Sequence, residues 1–308
     1  MSRCSYSKLK KLNYNGKVIK NASLDMYCTF LCGGKANCLV EVRTLENFLA
    51  VMDYITKEKL EYFVLGAGSN ILVSDDGYKG IVIKFDGDLA LSRQVEDTLI
   101  ECGSGCKLSV AFAFAKSLNL SGLECGAGIP ASIGGATYMN AGAYGFEMSK
   151  VVEYVVAYLE GKITYFHRKD CDFLYRHSVF QENKAIILRV GLRLQKSSKE
   201  EIESLFLETM KKRALAQPLE FPSAGSVFKK VDGLNVSKML DDCGLKGLTL
   251  GDAQVSLKHA NFIVNIGEAT AQDIYYLIRI VQKRFKDRTG IDLTPEIKFL
   301  GEFNETTW

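Results

Sequence analysis

The feature that most constrains this chain is a run of glycine and other small residues from Gly122 to Gly145, set between an apolar helix pattern and a pair of strand-like segments. Within it, Gly126-Ala127-Gly128-Ile129-Pro130-Ala131 match the dinucleotide pattern G-x-G-x-x-A. That fingerprint has to follow a strand and open a helix. Here Pro130 lies inside it, Gly134-Gly135 and Asn140-Ala141-Gly142-Ala143-Tyr144-Gly145 add more glycine, and no helical periodicity follows. The expectation is therefore a long, ordered, functional loop that wraps a diphosphate, not one that caps a helix.

Around this run the chain reads as mixed α+β in three pieces. Cys38–Val42 is strand-like, and Leu45, Phe48, Leu49, Met52 and Ile55 keep helical spacing. Residues 62–65 form a short buried strand that ends in Gly66-Ala67-Gly68-Ser69-Asn70, and residues 81–85 form another. A second unit begins near residue 95, with a strand at 98–102 and an amphipathic helix at 107–118. Residues 151–158 and 162–166 flank Glu160-Gly161 as a hairpin, and 185–194 adds a strand. Lys196-Ser197-Ser198-Lys199-Glu200-Glu201 is polar and charged and reads as a linker. It leads into a helix carrying Ile202, Leu205, Phe206 and Met210. Near the C-terminus come a strand at 261–265 and a helix from Thr270, a residue suited to an N-cap, with Ile274, Leu277, Ile278, Val281 and Phe285 on one face.

Composition excludes several classes. A formal charge of +3 with scattered lysines and arginines does not suit nucleic acid, yet leaves room for a small anionic substrate. Met1-Ser2-Arg3-Cys4-Ser5-Tyr6 runs into lysines without an apolar stretch, so no secretory signal is expected, and no segment reaches the ~18 apolar residues of a membrane span. The nine cysteines contain no C-x-x-C, and the loose cluster Cys28, Cys32 and Cys38 lies far in sequence from any histidine, which points to buried thiols in a reducing, cytoplasmic setting without a metal.

Three glycine-bearing segments carry the chemistry. Gly66-Ala67-Gly68-Ser69-Asn70 sits where the backbone can approach a phosphate and line an anion nest. Gly126–Gly145 is the second. Pro222-Ser223-Ala224-Gly225-Ser226-Val227-Phe228-Lys229 is the third; it fails the G-x-S-x-G pattern of a hydrolase elbow. No pattern around His167, His177 or His259 supports a catalytic triad. Read singly, Arg176 and Glu296 are ordinary polar residues.

Taken in order, these segments resemble the UDP-N-acetylenolpyruvoylglucosamine reductase (MurB) family from about Thr29 to Gly301. The resemblance rests on Gly33-Gly34-Lys35-Ala36, the Gly66–Asn70 and Ile129–Gly135 runs, Asn140–Gly145 and Tyr175-Arg176-His177-Ser178-Val179-Phe180. It continues through Pro222–Lys229, Cys243-Gly244-Leu245-Lys246-Gly247, His259–Asn265 and Pro295-Glu296. It implies a PCMH-type module that holds FAD non-covalently, with 1–88 as its first subdomain, 297–308 returning to that subdomain, and 89–198 as its second. Residues 199–296 would form the substrate-binding domain, in the shorter form that lacks a substrate-capping tyrosine loop.

By the same resemblance, Gly66, Gly68, Ser69 and Asn70 meet the flavin diphosphate side, and Ile129, Ser132, Gly134, Gly135 and Asn140 line the flavin from the second subdomain. Ser226 is the proton donor, and Arg176 and Glu296 activate the substrate. Lys229 is expected to hold the anionic UDP-sugar. The implied reaction is NADPH-dependent reduction of an enolpyruvyl ether in peptidoglycan precursor synthesis, with no obligate protein partner. Ala131, the Cys28/Leu31-Cys32 context and Lys230-Val231-Asp232 depart from the family pattern; they touch loop geometry and remove none of these residues. Two other readings are a flavin oxidase of the alcohol-oxidase kind and an inactive flavin or UDP-sugar binding protein. The first often tethers flavin through histidine, and no histidine lies between residues 60 and 80.

Overall fold

The computed structural model describes residues 5–231 and 233–305. They divide into two compact units. Unit 1 takes in residues up to Lys20, Cys38–Ala67 and Gly80–Arg213; unit 2 takes in Asn21–Asn37, Gly68–Lys79 and residues from Ala214 onward. The expected subdomain boundary near residue 88 thus falls inside unit 1, and parts of the expected first piece lie in unit 2.

The chain forms a four-stranded sheet, in the order Lys17–Ser23, Lys35–Val42, Tyr78–Phe85, Tyr62–Val64, and unit 1 contains a five-stranded antiparallel sheet. The helix Leu45–Lys57 starts where Thr44 Oγ1 accepts from the Asn47 N–H, and it buries Phe48, Val51, Met52 and Ile55. Leu45 and Leu49, placed by spacing on the inner face, lie on its exposed side. Phe48 meets Phe85 and Tyr158 edge-on, with centroids 5.6 and 5.3 Å apart, and Ile186 and Leu188 of the five-stranded sheet join the same core. Burying each such side chain contributes roughly 1.5–3 kcal/mol. This shared core is why Cys38–Ala67 and the residues from Gly80 to Arg213 cluster in one unit.

The hairpin forms as expected: strands Val152–Leu159 and Lys162–His167 pair Leu159 with Lys162, and Glu160 and Gly161 both take positive φ (+48° and +85°), as a type I′ turn demands. The expected linker at 196–201 is partly helix. Ser198 Oγ accepts from the Glu201 N–H, while the Glu201 carboxylate takes the Ser198 N–H, which opens the helix Lys199–Ala216. Polar composition marked a helix start there, not a linker. The eight described cysteines are free thiols; all are buried except Cys125, which is half-buried, and Cys4 lies outside the described residues. No helix among the described residues is long and apolar enough to cross a membrane.

Unit 2 is built on an antiparallel sheet in the order Ser223–Ser226, Phe262–Asn265, Ala253–Val255, Thr249–Leu250. Against its core lies the helix Ala271–Thr289, whose buried Ile274, Leu277, Ile278, Val281 and Phe285 follow the face read from spacing. Thr270 and Asp273 form a capping box at its start, and the Asp75 carboxylate accepts from the Ala271 and Gln272 N–H groups, each at 2.9 Å. Residues 71–73 and 298–300 form a parallel pair, so the C-terminal segment returns to residues close in sequence to the first glycine loop.

His259 sits beside this sheet with its ring edge-on to Phe262 (4.8 Å) and its Nδ1 3.4 Å from Ser237 Oγ. Burial pulls its pKa below the ordinary 6.5, and Lys246 adds to the effect. A depressed imidazole is neutral in the fold, so its contribution is complete above pH 6.5 and is lost as pH falls below it. The urea midpoint is expected to fall between about pH 7.5 and about pH 5.5, and His259→Gln to flatten part of that slope. Identical slopes in the two proteins would remove His259 as a source.

Candidate active site

In unit 1 the glycine run is not a continuous loop. Ile133–Tyr138 is a short helix whose first turn is capped by Ser132, with the Ser132 Oγ accepting from the Gly135 N–H at 3.2 Å. This overturns the expectation that the run opens no helix. Six residues with two glycines show no period, and the cap alone reveals them. The dinucleotide reading still fails, because the adjoining five-stranded sheet is antiparallel throughout.

The glycines here answer to close approach. A Cβ at Gly66 would come 2.7 Å from Ser132 Oγ, one at Gly135 would come 3.2 Å from it, and one at Gly134 would collide with Ser104 Oγ. Gly66, the Ser132 hydroxyl and Gly135 therefore form a cradle that any side chain would fill. Lys84 Nζ donates to the Gly66 carbonyl at 2.7 Å and brings a cation beside it. Ile129 packs half-buried against the unit 1 core. Ala131 keeps negative φ, so its methyl adds no backbone strain. Half-buried backbone at a glycine cradle, the capping Ser132 hydroxyl and a nearby ammonium are groups that suit an acceptor-rich diphosphate, so unit 1 fits a flavin dinucleotide.

Arg176 stands at the tip of a turn in which Leu174 and His177 exchange backbone hydrogen bonds of 3.1 and 3.3 Å. Its φ is +54°, a conformation that costs a non-glycine residue on the order of 1 kcal/mol or more. Neighbouring side chains hold it there. Asn140 Nδ2 donates to Leu174 O (2.9 Å), Gln181 Nε2 donates to Arg176 O (3.1 Å), and Ser178 Oγ donates to Tyr138 O (2.7 Å). The guanidinium donates to Gly142 O at 2.9 Å and lies 5.0 Å from the Tyr175 ring centroid. Asn140 Oδ1 also accepts from the Ser149 N–H. The Asn140 amide, expected to line the flavin, is thus engaged at both ends in holding this turn.

In unit 2 the structure brings together Gly68, Ser69, Asn70, Ser226, Lys229 and Glu296, which lie far apart in sequence. The Glu296 N–H donates to Val227 O (2.7 Å), the Lys229 N–H to Thr294 O (2.9 Å), and Asn70 Nδ2 to Glu296 O (3.2 Å). The Lys298 N–H donates to Asn70 O (3.0 Å). One extended segment, 294–298, therefore ties the first glycine loop to the Ser226 strand. Gly68 takes φ +69°, and a side chain there would strike the Tyr27 carbonyl. Gly225 takes φ +77° with nothing within 4 Å of an added Cβ, so conformation, not space, requires glycine before Ser226. Glu296 is buried and Ser226 half-buried.

Two unit 2 residues given no role from sequence belong to this assembly. Asn261 Oδ1 accepts from the Phe228 N–H (3.0 Å) while its Nδ2 donates to Phe228 O (2.9 Å), which fixes the peptide next to Lys229. Lys298 has its pKa lowered by burial and by the nearby Lys229. Lys298 is nonetheless exposed at the surface, with Lys229 half-buried, and two neighbouring ammonium groups suit an anion. Period-two spacing from Glu296 could have flagged Lys298; Asn261 carries no sequence signal beyond its amide. Among the described residues no group of three or more His, Cys, Asp or Glu side chains is placed to hold a metal.

The family model for the UDP-N-acetylenolpyruvoylglucosamine reductase C-terminal domain matches residues 217–300, and the FAD binding domain model matches residues 36–163. A UDP-N-acetylenolpyruvoylglucosamine reductase of Caldanaerobacter subterraneus subsp. tengcongensis is 39% identical over 98% of this chain and all of its own length. One of Heliobacterium modesticaldum is 40% identical over 94% of this chain and 93% of its own. The crystal structure of the reductase from Thermus caldophilus superposes with a TM-score of 0.80 at 34% identity, covering 93% of this chain and 99% of that one.

Asn261→Ala would leave both polar groups of the buried Phe228 peptide without that partner, at a cost of about 2–4 kcal/mol. The expected result is a matching loss in urea unfolding free energy. A loss below about 0.5 kcal/mol would show that the pair does not hold the strand.

Proposed function

The chain belongs to the UDP-N-acetylenolpyruvoylglucosamine reductase family, and on that premise we propose that it reduces the enolpyruvyl ether of UDP-N-acetylglucosamine to UDP-N-acetylmuramate with NADPH, as a UDP-N-acetylmuramate dehydrogenase. The observation that carries this reading is the joining of Ser226, Lys229 and Glu296 by one backbone assembly in unit 2, since an oxidase of small alcohols has no use for that set. The reading places the enzyme in the cytoplasm, where the nucleotide sugar and NADPH are found, in peptidoglycan precursor synthesis.

When bound, FAD supplies hydride carriage between NADPH and the substrate alkene. Gly66, Gly68, Ser69, Asn70, Ile129, Ser132, Gly134, Gly135 and the backbone at Asn140 would hold it non-covalently. Residues 1–88 with the returning 297–308, and 89–198, are the two parts of that module, and 199–296 is the substrate domain. The parallel pairing of 298–300 with 71–73 supports the return.

The chain's own residues would do the rest. Hydride addition to the terminal alkene carbon pushes charge onto the substrate carboxylate. Arg176, pre-set by its turn, offers a planar fork to that carboxylate. Glu296 would stabilise the same charge by a hydrogen bond donated from its protonated form. Lys229 and Lys298 would meet the diphosphate. Ser226 then delivers a proton to the carbon next to the carboxylate and is reprotonated from its surroundings.

Ser226→Ala separates the two half-reactions. NADPH should bleach the flavin at a near-normal rate, while reoxidation by the enolpyruvyl substrate slows by ~10²–10⁴-fold, or about 3–5 kcal/mol. Stopped-flow absorbance reads both steps. Equal slowing of the two would indicate general disruption, and no slowing of either would take Ser226 out of the mechanism.

A further inference from the structure

Arg213, near the end of the Lys199–Ala216 helix, is 6% exposed and lies among the residues of unit 1. Its Nε is buried without a hydrogen-bond partner. Among the described residues, no carboxylate pairs with it and no carbonyl accepts from it; its one contact of note is the Tyr144 ring, 5.9 Å from the guanidinium carbon. The surroundings disfavour its charge, and burial draws its pKa down.

This is an expensive arrangement to maintain. An arginine keeps its charge, and a buried charge without a partner costs several kcal/mol unless something pairs with it. Buried ionic groups are compensated by an opposite charge or a set of acceptors.

The glycine run is shaped around this side chain. A Cβ at Gly128 would come 2.8 Å from both Cδ and Nε of Arg213 and 2.9 Å from Met210 Sδ. Gly128 does not have positive φ, so conformation does not demand glycine there. What demands it is the passage of the guanidinium across the backbone. The Gly128 N–H takes no backbone acceptor among the described residues and adds a donor beside the fork. The run thus places an uncompensated cation, a backbone donor and an aromatic face together.

We propose that Arg213, with the Gly128 backbone, is a phosphate-binding element whose partner is a phosphate oxyanion of a bound nucleotide. The proposal rests on the functional reading above, under which three ligands carry such a group: the flavin diphosphate, the UDP-sugar diphosphate and the phosphates of NADPH. A planar fork can take two oxygens of one phosphate through parallel N–H bonds, whereas an ammonium acts as a point charge, and that suits arginine to this position.

The test is Arg213→Met, read in three arms on the purified holoenzyme: flavin per protein and its dissociation by fluorescence, UDP binding by perturbation of the flavin spectrum, and the NADPH concentration dependence of flavin bleaching. Loss of a charge-assisted pair should weaken one arm by about 10- to 100-fold, and the arm that moves identifies the phosphate. Gly128→Ala should weaken the same arm by a smaller factor, because it displaces the side chain and leaves the charge. If Arg213→Met fails to fold, Arg213→Lys is measured instead; a loss in one arm supports the fork and wild-type affinity in all three overturns it. A folded Arg213→Met with all three affinities unchanged overturns the proposal outright. The functional reading fails separately, if the unaltered protein carries no flavin and responds to neither UDP nor NADPH. In that event inorganic pyrophosphate decides: it should raise the melting temperature of the unaltered protein and not that of Arg213→Met, and equal shifts would sink the phosphate assignment.

Discussion

The hydrogen bond from the Glu296 N–H to Val227 O is the constraint on which unit 2 depends, because it closes a path between parts of the chain that are remote in sequence. On one side of the 294–298 segment lies the strand bearing Ser226 and Lys229; on the other lies Asn70, bonded to Glu296 O and from Lys298 N–H. Backbone hydrogen bonds set these spacings, with the Asn70 side-chain amide as the link to the glycine loop. A side chain placed by paired backbone has few ways to move, and chemistry that needs a proton donor and a carboxyl group in fixed relation gains from that. Asn261 extends the constraint by taking both polar groups of the Phe228 peptide.

Glycine serves two separate purposes in this chain, and the distinction decides which substitutions the fold tolerates. Gly66, Gly128 and Gly134 keep negative or extended backbone and are glycine because something else occupies the side-chain space: Ser132 Oγ, Arg213 and Ser104 Oγ in turn. Gly225 has open space and is glycine because its φ is +77°. The first kind builds contact, and it marks where loops are drawn against helices. The second builds direction, and it aims Ser226. Gly68 is both at once.

How far sequence could see follows from the range of each signal. The helix 271–289 was legible because its cap and five core positions repeat within one turn of each other, and the 159–162 hairpin because two residues set its turn. The helix 133–138 was not, since two glycines in six residues erase any period. Residues 196–201 looked like a linker because capping serines and glutamates share the composition of one. The division into units was hidden as well: Phe48 against Tyr158, and Ile186 and Leu188 in the first core, are contacts between distant residues that no local pattern encodes. Of the candidate site, Arg176, Ser226 and Glu296 were singled out only through ordered motifs. Asn261, Lys298 and Arg213 had no motif, because their importance lies in which atoms they meet.

The Arg176 turn shows why such residues resist recognition. A left-handed arginine is uphill on its own. It persists because Asn140, Ser178 and Gln181 each commit a side-chain donor to carbonyls of the turn or of the helix end beneath it. None of the three needs to touch a substrate to matter, and each reads in sequence as an ordinary polar residue. Asn140 in particular, at φ +42° and with its amide engaged at both ends, links the glycine run to the turn that presents the guanidinium. Within unit 1 the glycine run and the turn that carries Arg176 are therefore one hydrogen-bonded structure, and a change that loosens the first also disorders the second.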